Sequence, residues 1–256
     1  MTFRQQSLRR WYEFSKGQGD RRSRSGFFAL LDGCTAERFA EIVQEDLRQP
    51  ALGDLRSLTS IRQNSRRNTP TIDELRRRAP DEQTLQWLFL LRGYLRFRHE
   101  AIIERELPVS PAKVDREGWV DLLAFDLDRR QPILVELKRA KASDSLTGVL
   151  LEVLSHWAFH MRYLRQFQQQ VAQADVVGSP VMLAPTVVIA APESYFVETL
   201  RRSGDPRRHN EIRVAAQLMR CMLEMWGVGV RLLAIEDGWQ QVGLEFAIHD
   251  WAIPTE

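Results

Sequence analysis

Residues 119–141, WVDLLAFDLDRRQPILVELKRAK, decide the fold. The stretch reads as one strand, WVDLLAFD, then a turn, LDRRQ, then a second strand, PILVELKRAK. Apolar residues fill both runs, and Asp128-Arg129-Arg130-Gln131-Pro132 supplies the reversal between them. Side chains two residues apart leave a strand on one face, so Glu136 and Lys138 point together, away from Ile133, Val135 and Leu137. Asp121 and Glu136 stand fifteen positions apart, a spacing that suits a hairpin. Paired in this way, the strands bring two carboxylates and one ammonium to one spot.

Such a trio has a chemical use. Two carboxylates on a rigid sheet can hold a hard cation such as Mg2+ or Mn2+, which takes oxygen ligands and keeps several waters. The ion would polarise a phosphodiester and acidify a bound water. A neighbouring lysine can orient that water and neutralise charge on the phosphorane. The competing reading is a half-solvated strand with an alternating Glu/Lys face. Lysine usage favours chemistry: all but Lys16, Lys113, Lys138 and Lys141 of the 36 basic side chains are Arg. A chain that spells its cations as Arg yet places Lys at 138 points to a need for a compact ammonium there.

At these residues the chain resembles the PD-(D/E)XK nucleases, the restriction-endonuclease-like superfamily. Asp121 in GWVDLL stands where that family has its single Asp, and Glu136-Leu137-Lys138 matches its (D/E)-x-K. The literal Pro-Asp is absent, because Val120 precedes the Asp. The resemblance spans Pro80 to Asp237 in the order of elements. It implies an αβββαβ core, a metal held by Asp121, Glu136 and the Leu137 carbonyl, and Lys138 as the group assisting the attacking water. It also implies an acid from the first core helix, where Glu82 stands, and polar side chains on the later helix. There Glu152 takes the place of the family's Gln and His156 that of its Tyr.

Length and composition bound the rest. The 256 residues allow one large domain or a core plus a smaller one, and 44% hydrophobic content supports a sizeable core. A net charge of +2 gives no overall pull toward nucleic acid. Cys34 and Cys221 have no metal-type spacing and suggest no disulfide framework, which fits a reducing cytoplasm. No apolar leader and no membrane-length apolar run is seen, and neither is a glycine-rich phosphate loop ending in Gly-Lys-Ser/Thr. A partner protein could supply ATPase or recognition.

Taken in order, residues 1–78 read as a helical, Arg-rich N-terminal region and 79–256 as the nuclease-like domain. Phe3–Phe14 suits a short helix, and Arg21, Arg22 and Arg24 fall in a loop. Thr35–Leu47 has Phe39, Ile42, Val43 and Leu47 at helical spacing. Arg62, Arg66 and Arg67 lie in a basic loop, and Arg76 and Arg77 end a helix that a Thr71/Glu74 capping box opens. These arginines fit phosphate contacts, or else a solvated face. Pro80 suits the first position of a helix bearing Glu82, which is either a ligand or a carboxylate favouring the helix dipole. Glu100–Val109 reads as a strand, with Pro108 and Pro111 marking an edge or a strand end. Glu104 and Glu106 are the fallback acids.

After Lys141, Ser143 or Asp144 caps a long helix with an apolar stripe from Leu146 to Leu164. His156 and His160 on its flank stand at i, i+4, a spacing that also occurs in Zn2+ sites. Pro185–Ala191 is a buried strand, Arg201–Arg208 a basic loop, Ile212–Trp226 a helix and Val228–Ile235 a strand. Asp237-Gly238 suggests a hairpin turn, with Trp239–Phe246 returning as its partner.

The expected function is metal-dependent phosphodiester hydrolysis, of DNA in first place, by an endonuclease of bacterial defence or repair. Arg139 and Lys141 beside the motif are expected to hold backbone phosphates, and a homodimer would serve duplex cutting. The alternative is a catalytically degenerate nuclease-fold module that binds nucleic acid or a protein.

Overall fold

The computed structural model describes residues 8, 35–51, 53–55, 69–108, 119–141, 144–173, 183–203 and 209–253. The first helices start where polar caps stand. Thr35 opens α1 (Ala36–Arg48) by accepting from the Arg38 amide. Thr71 and Glu74 form a reciprocal capping box at α2 (Ile72–Arg77), with bonds of 2.7 and 3.3 Å. Helix α3 (Glu82–Arg92) is capped by Asp81, which accepts from the Thr84 amide at 2.8 Å. Pro80 therefore precedes the cap rather than opening the helix, because the Asp81 carboxylate is the better acceptor for the unpaired amides of the first turn. Gly93 ends α3 at φ 81°, a left-handed conformation that side chains disfavour.

The sheet has six strands in sequence order: β1 (Glu100–Pro108), β2 (Trp119–Asp126), β3 (Gln131–Leu137), β4 (Thr186–Pro192), β5 (Val230–Ile235) and β6 (Ile248–Asp250). Strands β1, β2 and β3 form an antiparallel meander, β3, β4 and β5 run parallel, and β6 returns antiparallel to β5. Parallel neighbours need crossovers. Helix α4 (Leu146–Arg162) and α5 (Leu164–Ala172) link β3 to β4, while α6 (Glu193–Ser203) and α7 (His209–Trp226) link β4 to β5. One short helix, α8 (Trp239–Val242), and a 3-10 turn (Gly243–Glu245) precede β6. The described residues thus form an α/β protein with a six-stranded mixed sheet and eight α-helices. From α3 onward they run helix, three strands, two helices, strand, two helices, strand.

Alternation along the strands divides the core in two. Leu123, Phe125, Leu134, Val187 and Ile189 pack on one face with Trp157 of α4, Phe39 and Ile42 of α1, and Leu218 of α7. Leu122, Ile133, Val135, Leu137, Val188 and Leu233 pack on the other with Leu85, Leu88 and Phe89 of α3. Each such side chain, fully buried, contributes roughly 1.5–3 kcal/mol. The indole Nε1 of Trp157 donates to the Pro185 carbonyl at 3.1 Å, so this fully buried ring carries no unpaired donor. Helix α1 shares the first core, packing on α4 and α7.

Several expectations shift. Trp239–Phe246 does not return as a strand: Gly238 at φ 87° starts α8, and Trp239 and Phe246 turn inward onto the α3 face, where Phe246 meets Phe89 edge-on at 5.2 Å. Burial of two rings outweighs the hairpin signal of Asp237-Gly238, and β6 takes the pairing instead. The cap of α4 is Ser145, which accepts from the Gly148 amide at 3.0 Å. Helix α6 reaches Ser203, so the expected basic loop begins inside a helix. Strand β1 is an edge of the sheet, as Pro108 suggests. The 3–14 helix apart from Leu8, the loop arginines at 21, 22 and 24, and Arg62, Arg66 and Arg67 lie outside the described residues.

Candidate active site

The β2–β3 ladder pairs Asp126 with Gln131 at one end and Leu122 with Val135 at the other, where it stops. The next pair would set Asp121 against Glu136. In place of a ladder bond, Asp121 Oδ2 accepts from the Leu137 amide at 2.7 Å. Asp121 Oδ1 accepts from Gln86 Nε2 of α3, also at 2.7 Å. The Lys138 amide points the opposite way and donates to the Ala190 carbonyl of β4 at 3.0 Å. Within a strand a residue's N–H and C=O leave by the same edge, so the Leu137 carbonyl is directed to the Asp121 side.

Lys138 stands at the focus. Its Nζ donates to Glu136 Oε1 at 2.7 Å and lies 3.1 Å from Glu152 Oε2 of α4. Glu136 Oε2 lies 3.7 Å from His156 Nδ1, one turn further along α4. That oxygen is buried and has no hydrogen-bond donor among the described residues. Glu82 accepts a long bond, 3.4 Å, from the Arg139 amide. Asp121, Glu136 and Lys138 are only 9%, 3% and 4% exposed. Glu82 and Glu152 are half-buried, while Arg139 and Lys141 are exposed.

The charges do not balance. Four carboxylates, Glu136, Glu152, Asp121 and Glu82, act on the one ammonium. Burial pushes the Asp121 carboxyl up to about 6, with Glu82 and Glu152 adding to the rise and Lys138 and the Leu137 amide opposing it. Burial, and then the Asp121 charge, pushes Glu136 well above the usual carboxylate range. Burial pulls the Lys138 ammonium down, but its acidic neighbours outweigh this and raise it well above its ordinary value. Lys138 is therefore a fixed cation here and not a neutral base. Uncompensated buried charge costs several kcal/mol per ion. An acid-rich set in which buried Glu136 Oε2 has no donor among the described residues fits a hard divalent cation.

The fold thus brings Asp121, Glu136, Lys138, Glu82 and Glu152 together. Arg139 enters through its backbone amide. Arg76 pairs with Asp73 on its own helix at 3.4 Å, and α2 packs against α3 and α8. The fallback acids serve elsewhere: Glu104 Oε1 accepts from the Arg105 amide and Glu106 pairs with the Arg105 guanidinium. His160 does not join His156 in a Zn2+ pair. Its Nδ1 contacts the His156 carbonyl at 2.8 Å, rings of Phe159 and Phe167 surround it, and burial pulls its pKa down to about 4.

Gln86 went unread in the sequence, and so did the Glu136 contact of His156, which the resemblance places only as a polar side chain near the site. Gln86 follows Glu82 by four residues on the same helix, a spacing that signals a shared face. The contact of His156 with Glu136 needs the packing of α4 on β3. A third group lies at the far end of the hairpin. His99, Asp126 and Asp128 are the described trio of metal-type side chains whose ligand atoms lie within 4.8 Å of one another.

Compared with family models, curated proteins and solved structures, the chain finds no match in any of the three. Among the described residues no helix is long and apolar enough to cross a membrane. What the α/β framework does is therefore argued from the site's own geometry.

Proposed function

We propose that the chain is a Mg2+- or Mn2+-dependent nuclease of the PD-(D/E)XK kind, hydrolysing phosphodiesters of nucleic acid, DNA in first place. The observation that carries this reading is the convergence of Asp121, Glu136 and Lys138 where β2 and β3 part, with Glu136 Oε2 buried and without a donor among the described residues. The order around that point, one helix, three strands, the α4–α5 crossover and a parallel strand, supports a restriction-endonuclease-like core. Asp121, Glu136 and the Leu137 carbonyl would hold the ion, with Glu82 or Glu152 completing the shell. When bound, such an ion acts as a Lewis acid and supplies an acidified water. Lys138, kept as an ammonium, orients the attacking water and stabilises negative charge gathering on the phosphoryl oxygens. Glu136 and Glu152 hold that ammonium in place, and His156 bounds the Glu136 carboxylate on the α4 side. Arg139 and Lys141, exposed at the rim, bind flanking phosphates.

A second reading has its own observation. Lys138 already pairs with Glu136 and Glu152, and the trio is nearly closed to solvent. Both facts suit a degenerate module that binds nucleic acid or a protein without cutting. One assay separates the two. Linear, circular and single-stranded DNA and RNA are incubated with Mg2+, Mn2+ or EDTA. Cleavage that EDTA stops and that Asp121→Ala abolishes supports the enzyme; retention of nucleic acid with no cleavage under any ion supports the module. Size measurement of the same preparation shows whether a dimer accompanies duplex cutting.

A further inference from the structure

We infer that Gln86 is a positioning residue that fixes the Asp121 carboxylate, and that Arg105 fixes Gln86 in turn; the inference rests on the nuclease reading of the Asp121 site. A glutamine amide offers two donors at one end and an acceptor at the other, and its orientation is set by its neighbours. Here the neighbours leave one choice. Asp121 Oδ1, which as a carboxylate only accepts, lies 2.7 Å from Gln86 Nε2. Arg105 Nη1, which only donates, lies 3.5 Å from Gln86 Oε1. The amide is thus poled from guanidinium to carboxylate. With the Leu137 amide on Oδ2, both Asp121 oxygens carry a donor and the carboxylate plane is fixed.

Arg105 is itself held on two sides. Its guanidinium carbon stacks 3.7 Å from the Trp87 ring centre, and Nη1 lies 2.8 Å from Glu106 Oε1. Trp87 follows Gln86 directly on α3, so one helix supplies both the relay and the surface that steadies its far end. Gln86 is buried, which removes competing water from the relay. Groups that orient a ligand in this way commonly change metal affinity by 10- to 100-fold when lost.

The test uses the full chain with Gln86→Met and Arg105→Met, and Asp121→Asn as the reference. Mn2+ binding is followed by electron paramagnetic resonance. Side-chain amides are followed by 15N NMR in metal-free protein, the Gln86 signal being assigned by its loss in Gln86→Met. The wild type binds Mn2+, Asp121→Asn does not, and Gln86→Met binds about tenfold more weakly. The Gln86 amide protons move on Arg105→Met and on Asp121→Asn. Unchanged Mn2+ affinity in Gln86→Met overturns the inference while leaving the nuclease reading intact. If the wild type takes no Mn2+, the nuclease reading fails and the NMR arm alone decides the positioning: a Gln86 signal unmoved in both variants overturns it. Thermal unfolding of each variant is recorded, and Gln86→Asn serves as a second substitution should Gln86→Met fail to fold.

Discussion

The two ends of the β2–β3 hairpin each gather acids, and they differ in what those acids already do. At the turn, His99, Asp126 and Asp128 lie closer together than the carboxylates at the open end. Yet Asp126 Oδ1 accepts from the amides of Asp128 and Arg129 at 3.0 and 2.9 Å, a use that stabilises the turn itself. Asp128 and His99 have side chains 74% and 39% exposed, so water solvates them at little cost. At the open end Asp121 and Glu136 are buried, four carboxylates face one ammonium, and Glu136 Oε2 has no donor among the described residues. On the function proposed above, proximity of ligand atoms alone does not mark the site. Charge held out of water and only partly answered is a better guide.

Four measurements would break or sharpen that contrast. The largest effect is expected of Asp121→Asn, which keeps the shape and removes the charge. Cleavage in Mg2+ should fall by at least about a thousandfold, a loss of roughly 4 kcal/mol of transition-state stabilisation. The thermal midpoint should change little, because relief of the buried charge is opposed by an amide group set against the Leu137 or Gln86 donor. Cleavage that persists would remove Asp121 from the site.

Lys138→Met comes next. Removing one member of a buried ion pair typically destabilises by about 3–5 kcal/mol, because the carboxylates left behind keep their burial penalty. Urea unfolding in EDTA reads this directly, and a loss below 1 kcal/mol would mean that water already reaches Glu136 and Glu152.

The third effect is on pH. The folded-state pKa of Asp121 lies above its ordinary 3.8, at about 6. The folded protein binds this proton more tightly than the unfolded chain does. Stability in EDTA is then fullest below about pH 4 and falls as pH rises through about 6. A shift of this size corresponds to about 3 kcal/mol. Glu136 shifts in the same direction, so the difference between the wild type and Asp121→Asn isolates the Asp121 part. Metal-dependent cleavage should run the opposite way, rising through the same range as the carboxylate ionises. A stability profile that rises over pH 4–6 would contradict the assigned burial.

The smallest effects belong to the turn. Asp126→Ala should cost about 1 kcal/mol through its two amide bonds. Asp128→Asn should stay within about 0.5 kcal/mol and leave the Mn2+ titration unchanged. Mn2+ binding lost with Asp128→Asn and kept with Asp121→Asn would reverse the contrast.

The hairpin was legible because its signal is local: alternation sets the faces, and a turn of charged residues sets the return. Glu136 beside Lys138 follows from strand geometry alone. The order helix, three strands, helix, strand, helix, strand from Glu82 to Ile235 was legible for the same reason, but the added helices α5 and α6 were not. Three further things were not. The pairing of Lys138 with Glu152 needs α4 laid across β3, a long-range event with no spacing rule. Gln86 resembles any polar residue at the edge of a helix until Asp121 is set against it. Trp239 and Phe246 suit either a strand or an inward turn, and only the vacant space beside Phe89 and Leu233 decides between them.

Residues 127–130, between Asp126 and Gln131, act as the gauge of the site. Their count, with Arg130 at φ 56°, sets which rung of β3 meets Asp121. Were one residue added and the pairing to follow it, Leu137 would enter the acidic cluster, and Glu136 and Lys138 would swing toward the apolar layer under α3. The loop far from the chemistry should thus accept many spellings but only one length.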